Sequence, residues 1–119
     1  MMIRFKETDG FCKEFKRLAK KYRSLERDME RFKSVLRDTP LGTGKHFNIL
    51  TAREDVRIVK ARLACESLRG SSLRVIYAYQ ESTITIFFIE LYYKGEQESE
   101  DQQRIDEFLQ SYDRDESAK

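Results

Sequence analysis

The segment LRVIYAYQESTITIFFIELYYK, residues 73–94, constrains the fold of this chain more than any other. Residues 73–79 and 83–93 are dense in Val, Ile, Thr, Phe and Tyr, side chains that pack well on a pleated surface and lose rotamer freedom in a helix. The short polar connection Gln80, Glu81 and Ser82 lies between them, so the two runs read as an antiparallel hairpin. A hairpin alone is marginal in water and needs further strands and a covering layer. Upstream, Val59, Ala61, Leu63 and Cys65 alternate with Ile58, Lys60, Arg62 and Ala64, which predicts a half-buried strand over 56–65. With a turn around Gly70 over 67–72, these strands form a meander.

The covering layer comes from the N-terminal third. Ile3 and Phe5 alternate with Arg4 and Lys6 in a short opening strand, and Thr8 and Asp9 then offer oxygens that can cap a helix. Phe11, Phe15, Leu18 and Tyr22 recur at helical spacing, and the pattern restarts after Ser24 with Leu25, Met29, Phe32 and Leu36. The expectation is a helical hairpin turning near Arg23 and Ser24. DTPLGTGKHFN, residues 38–48, is a loop; its GTGKH lacks the first Gly and the final Ser or Thr of a phosphate-binding loop and is rejected as one. Past Lys94 and Gly95, Ser99 and Gln102 resemble a capping box ahead of a third amphipathic helix bearing Ile105, Phe108, Leu109 and Tyr112. The predicted order is β-α-α-β-β-β-α, an α+β fold with two helices on one face of a small antiparallel sheet. One domain over 1–112 and a frayed tail over 113–119 are expected.

The chain has 119 residues, enough for one core. No apolar run reaches the roughly 18 residues of a membrane span, and the N-terminus MMIRFKETDG lacks the apolar stretch of a signal peptide. Cys12 and Cys65 make neither a disulfide framework nor a zinc site, and reduced thiols in the cytoplasm are expected. A net charge of +2 conceals an asymmetry: residues 1–95 carry 20 Lys and Arg against 12 Asp and Glu, whereas 96–119 carry 3 against 9. A basic body suits a polyanionic partner.

Period two places Lys60 and Arg62 on one face of their strand and Arg74 on one face of the next. If the helices cover the Val59 and Leu63 face and the register cooperates, these cations converge on the opposite, open face. Such a cluster grips phosphate and stabilises charge developing on pentavalent phosphorus without a metal. Glu90, read as facing the side of Ile86 and Phe88, is also available to neutralise Arg62 or Arg74. Spacing alone therefore leaves a structural role open beside a site role.

The helical segment FCKEFKRLAKKYRSLERDMERF, the loop DTPLGTGKHF, and VRIVKARLACESLRGSSLRVIYAY followed by ITIFFIELYYKGEQESED together resemble the RelE/ParE superfamily of toxins from bacterial and archaeal toxin-antitoxin systems. The resemblance covers nearly the whole chain and rests on the ordering of Arg62, the Arg-Val-Ile-Tyr run from Arg74, and Tyr93-Lys94. It implies a compact toxin held inactive by a cognate antitoxin protein. In the RelE branch it implies entry into the ribosomal A site and mRNA cleavage by 2′-hydroxyl attack, with no cofactor and no metal. Carried over, Arg74 matches the arginine that stabilises the transition state. Lys60 and Arg62 match basic positions of the preceding strand, with Lys60 activating the 2′-hydroxyl if neighbouring cations lower its pKa. Lys94 matches the basic end of the last strand. Lys45, Arg57 and Arg69 complete the cations expected at RNA.

The sequence also departs from the pattern. His46, the one histidine, precedes the second predicted strand; Gly95 stands where one branch has arginine; and the acidic EQESED replaces the segment that supplies a catalytic tyrosine there. Tyr92 and Tyr93 are the acid/base candidates that remain. The ParE branch, which poisons DNA gyrase by protein contact, is the alternative implied by the same resemblance, as is a catalytically weak relative devoted to antitoxin binding. The acidic segment 96–112 is further expected either to lie over the basic face or to pack as a helix through Phe108 and Leu109 against the domain edge.

Overall fold

A computed structural model describes residues 2–117, with side chains described as far as Arg114. Strands β1 (Arg4–Glu7), β2 (Phe47–Ala52), β3 (Val56–Ala64), β4 (Ser72–Gln80) and β5 (Thr85–Tyr93) form one five-stranded sheet in the order β1-β5-β4-β3-β2. The β3-β4-β5 meander is antiparallel as its alternation predicts, and β1 adds to β5 in parallel. Helices α1 (Asp9–Lys21) and α2 (Leu25–Asp38) carry the chain from one sheet edge, β1, to the other, β2.

The edge strand β2 lies within a region that the sequence pattern leaves as loop and unassigned chain. Its ladder with β3 slips between Ile49 and Thr51, and Ile49 and Leu50 are exposed. A bulged strand at a sheet edge shows no period of two, because only a fraction of its side chains meets the core.

The helical hairpin covers one face. Phe11, Leu18, Leu25, Met29, Phe32 and Leu36 pack there on Val59, Leu63, Val75, Tyr77 and Phe88. Thr8 caps α1, its hydroxyl accepting from the Phe11 amide at 3.2 Å. At the start of α2, Ser24 donates to the buried Asp28 carboxylate at 2.6 Å, and the same serine accepts from the Ser67 amide at 2.9 Å. The helix origin is thereby joined to the turn after β3. Gly42, with φ of 68°, occupies the loop ahead of β2, where a Cβ would strike the Phe47 ring. The Tyr77 hydroxyl donates to the Pro40 carbonyl at 2.8 Å and holds the same loop from inside the core.

On the other face, α3 (Gln102–Ser117) buries Ile105 and Leu109 against Ile58, Ile76, Ala78 and Ile89, and Phe108 meets Phe87 with ring centroids 5.3 Å apart. The helix thus covers part of a sheet face and not merely an edge. Asp101 caps it, accepting from the Gln103 amide at 3.1 Å, in place of the predicted Ser99. Ordered structure continues past the expected limit at 112, because Arg53 donates to both Asp113 oxygens at 2.6 and 2.7 Å and Tyr112 donates to Asp55 at 2.9 Å. These contacts tie the helix to the β2-β3 turn. Residues 118 and 119 lie outside the described residues.

The fully buried Phe11 stacks on Phe88 at 5.3 Å, whereas Phe15 is only half-buried. Phe11→Ala is expected to lower unfolding free energy by about 3–5 kcal/mol and Phe15→Ala by clearly less, as measured by denaturant titration.

Candidate functional site

The ladder registers decide what the second face of the sheet presents. Arg62 lies opposite Arg74, and Arg74 opposite Tyr92, so these three residues form a row across β3, β4 and β5. The next row, toward α3, is Lys60, Ile76 and Glu90. Opposed residues of antiparallel strands point the same way, so the predicted convergence of Lys60, Arg62 and Arg74 is present. Arg62 is exposed and Arg74 half-buried, the latter donating to Ser72 Oγ at 2.8 Å and Ser72 O at 3.3 Å. Among the described residues no carboxylate pairs with either arginine. Two cations directly opposed in a ladder repel. An anion bound between them removes that cost.

Glu90 does not neutralise Arg62 or Arg74. A bulge of β5 at Ile89, opposite the step from Ile76 to Tyr77, interrupts the alternation and turns Glu90 away from the side of Ile86 and Phe88. Its almost wholly buried carboxylate accepts from Gln97 Nε2 at 2.6 Å and from the Asp101 amide at 2.9 Å, with Arg104 at 3.8 Å. Arg104 also donates to Glu14 of α1 at 2.7 Å and to the Ile89 carbonyl.

Lys60 has a partner that its spacing did not reveal. Its ammonium donates to Glu100 Oε1 at 2.8 Å, the two side chains being 27% and 19% exposed. The hydrogen bond to Glu100 raises the Lys60 pKa, and burial opposes it only in part. The expected lowering by neighbouring cations is reversed, because the nearest charge is a carboxylate. Lys60 stays protonated and is unsuited to be a general base. Reciprocally, the hydrogen bond from Lys60 lowers the Glu100 pKa. Beside the pair, the Tyr92 hydroxyl is buried within reach of Lys60 and Glu100, and burial pushes its pKa up against the pull of Lys60. It stays protonated.

The other predicted residues are not among the ladder partners of this row. Tyr93 points to the helical face, where it meets Tyr22 edge-on at 6.4 Å, so it packs and is absent from the cationic face. Arg57 alternates onto that same helical side and donates to the Arg53 carbonyl at 2.5 Å. Lys45 is exposed in the loop before β2, Arg69 in the turn after the short 3-10 helix Glu66–Leu68, and Lys94 just beyond β5. His46, by contrast, comes beside Arg62, whose amide donates to its carbonyl at 3.1 Å, and both residues line a cavity of about 630 Å³. Among the described residues no group of three or more His, Cys, Asp or Glu is placed to hold a metal. Glu100 was missed because its partner lies 40 positions away and EQESED offers several equivalent carboxylates.

The ion pair sets a pH dependence. A carboxyl whose pKa is lower folded than unfolded contributes stability above the unfolded value, about 4.3, and that contribution is lost as pH falls through the folded value. Lys60, raised when folded, contributes below its unfolded pKa and loses that contribution only in strong alkali. Acidification from neutrality is therefore expected to destabilise the wild type more than Glu100→Gln, with the two melting curves converging below about pH 4.

No protein-family profile matches the chain, and no curated protein is similar to it in sequence. Solved structures do match. The archaeal RelE-RelB complex from Pyrococcus horikoshii OT3 includes a chain that superposes with a TM-score of 0.62 at 24% identity, over 80% of this chain and 98% of that one. A mutant of the E. coli toxin RelE in the free state superposes with a TM-score of 0.54 at 18% identity, over 82% of this chain and 90% of that one. With three helices and a five-stranded, mostly antiparallel sheet, the chain has the RelE-like fold.

Proposed function

We propose that the chain is the toxin of a toxin-antitoxin pair and acts as a ribosome-dependent mRNA endoribonuclease. The observation that carries this reading is the opposed pair Arg62 and Arg74, with Lys60 in the next row, on one cationic sheet face in a RelE-like fold. Two arginines that pair with no carboxylate among the described residues provide forked donors for a phosphodiester and stabilise charge that builds on phosphorus. In the reaction, the ribose 2′-oxygen attacks the adjacent phosphorus and the bond to the 5′-oxygen breaks. The products are a 2′,3′-cyclic phosphate and a 5′-hydroxyl.

A cognate antitoxin is part of this proposal. The archaeal neighbour was solved as a RelE-RelB complex, and a partner bearing acidic groups would complement the exposed cations here. DNA gyrase is the alternative target.

Arg74→Ala is expected to reduce mRNA cleavage by about 10²–10³-fold with the melting temperature little changed, since Arg74 bonds only to Ser72 of its own strand. The measurement is primer extension on mRNA from a purified translation system. Cuts at ribosome-positioned codons that disappear in the variant support the reading. Equal cleavage by both proteins removes Arg74 from the site, and intact mRNA with wild type would redirect attention to gyrase or to antitoxin binding alone.

A further inference from the structure

A carboxylate next to a phosphate-binding row repels its ligand unless it has a task there. Glu100 is such a group. It reaches Lys60 at 2.8 Å and lies beside the buried Tyr92, which is opposite Arg74 in the ladder. An acidic segment that merely screened the cations would be loosely attached and would cover Arg62 and Arg74. Neither is the case. Glu90 grips the segment on both sides of Glu100, through the Gln97 side chain and the Asp101 amide, and Gln97 also donates to the Ser99 carbonyl at 2.8 Å. Helix α3 follows immediately, docked by Arg104 on Glu14. The segment is thus fixed on both sides of Glu100 and its carboxylate is fixed by Lys60, and a proton-transfer group must be positioned to act in a near-attack geometry.

We propose that Glu100 is the general base of the site, taking the proton from the attacking ribose 2′-hydroxyl, with Lys60 as its partner acid. This deepens the nuclease reading and rests on it. The 2′-O–H bond breaks as the 2′-oxygen bonds to phosphorus, and the proton passes to Glu100. The bond from phosphorus to the 5′-oxygen breaks, and that oxygen takes a proton from the Lys60 ammonium. Transfer of the proton from Glu100 to Lys60 then restores the ion pair, so no proton is gained or lost by the protein. Lys60, held protonated by Glu100, enters the cycle in the form that can donate. The titratable side chains that act on Glu100 are Lys60 on β3 and Tyr92 on β5, and Asp101 is adjacent in the chain.

The test is the cleavage rate on mRNA-programmed ribosomes for wild type, Glu100→Gln and Glu100→Asp, with ribosome binding and melting temperature measured in parallel. Glu100→Gln is expected to lose about 10²–10⁴-fold in rate without weaker binding, while Glu100→Asp, which keeps the carboxylate, recovers part of the rate. Over about pH 6–8 the wild-type rate is expected to be flat, because a glutamate with a lowered pKa is ionised throughout. A rate that falls as the pH is lowered across this range would assign the proton to another group and overturn the proposal. Faster cleavage by Glu100→Gln would make Glu100 a masking group and overturn it too. If the wild type cleaves and Glu100→Gln cleaves equally well, the assignment fails and the nuclease reading stands. If the wild type leaves ribosome-bound mRNA intact, both fail together.

Discussion

Glu90 is a carboxylate withdrawn almost wholly from water in the middle of the sheet. Such a charge costs several kcal/mol unless its oxygens are met by donors, and the surrounding chain is arranged to meet them. The Gln97 amide, the Asp101 backbone and the nearby Arg104 guanidinium answer Glu90, and Arg104 in turn holds Glu14 on the far helix. The path of the segment after β5, the starting point of α3 and the position of Glu100 all depend on this one group. The bulge at Ile89 lies upstream of it, because without that extra residue Glu90 would face the apolar helical layer.

The second face of the sheet is consequently divided. Ile58, Ile76 and Ala78 lie under α3, and burial of apolar area drives that contact. Arg62 and Arg74 lie beyond the reach of the helix, where guanidinium groups can keep water or meet an anion. Lys60 stands between the two zones and is neutralised by Glu100. The acidic C-terminal segment thus does less than its composition suggests: one carboxylate reaches the cationic face, while Glu96 pairs with Arg17 and Lys21 on α1 at the surface. Exposed pairs of that kind contribute little to stability.

Much of this was legible from the chain. The alternation around Lys60, Arg62 and Arg74 placed the cations on one face, the helical spacing of Phe11, Leu18, Leu25 and Phe32 specified the layer opposite, and the QES connection specified the hairpin. Those signals are periodic, and periodicity survives because each element buries one regular side. Strand β2 was not legible, since a bulged edge strand has no regular buried side. The exclusion of Tyr93 was not legible either: Tyr92 and Tyr93 are adjacent aromatics, and only the registration of β5 on β4 shows which one shares a face with Arg74.

The sequence by itself determined the fold class and the side of the sheet on which the basic residues gather, because both follow from local alternation between water and core. Tertiary structure alone decided the charge state of Lys60, the true partners of Glu90 and the isolation of Arg62 and Arg74. These depend on which distant groups come within a few ångströms. Glu100 lies 40 positions from Lys60, and Glu14 lies 90 from Arg104. Electrostatic energy follows distance in space, on which a carboxylate's position along the chain is silent.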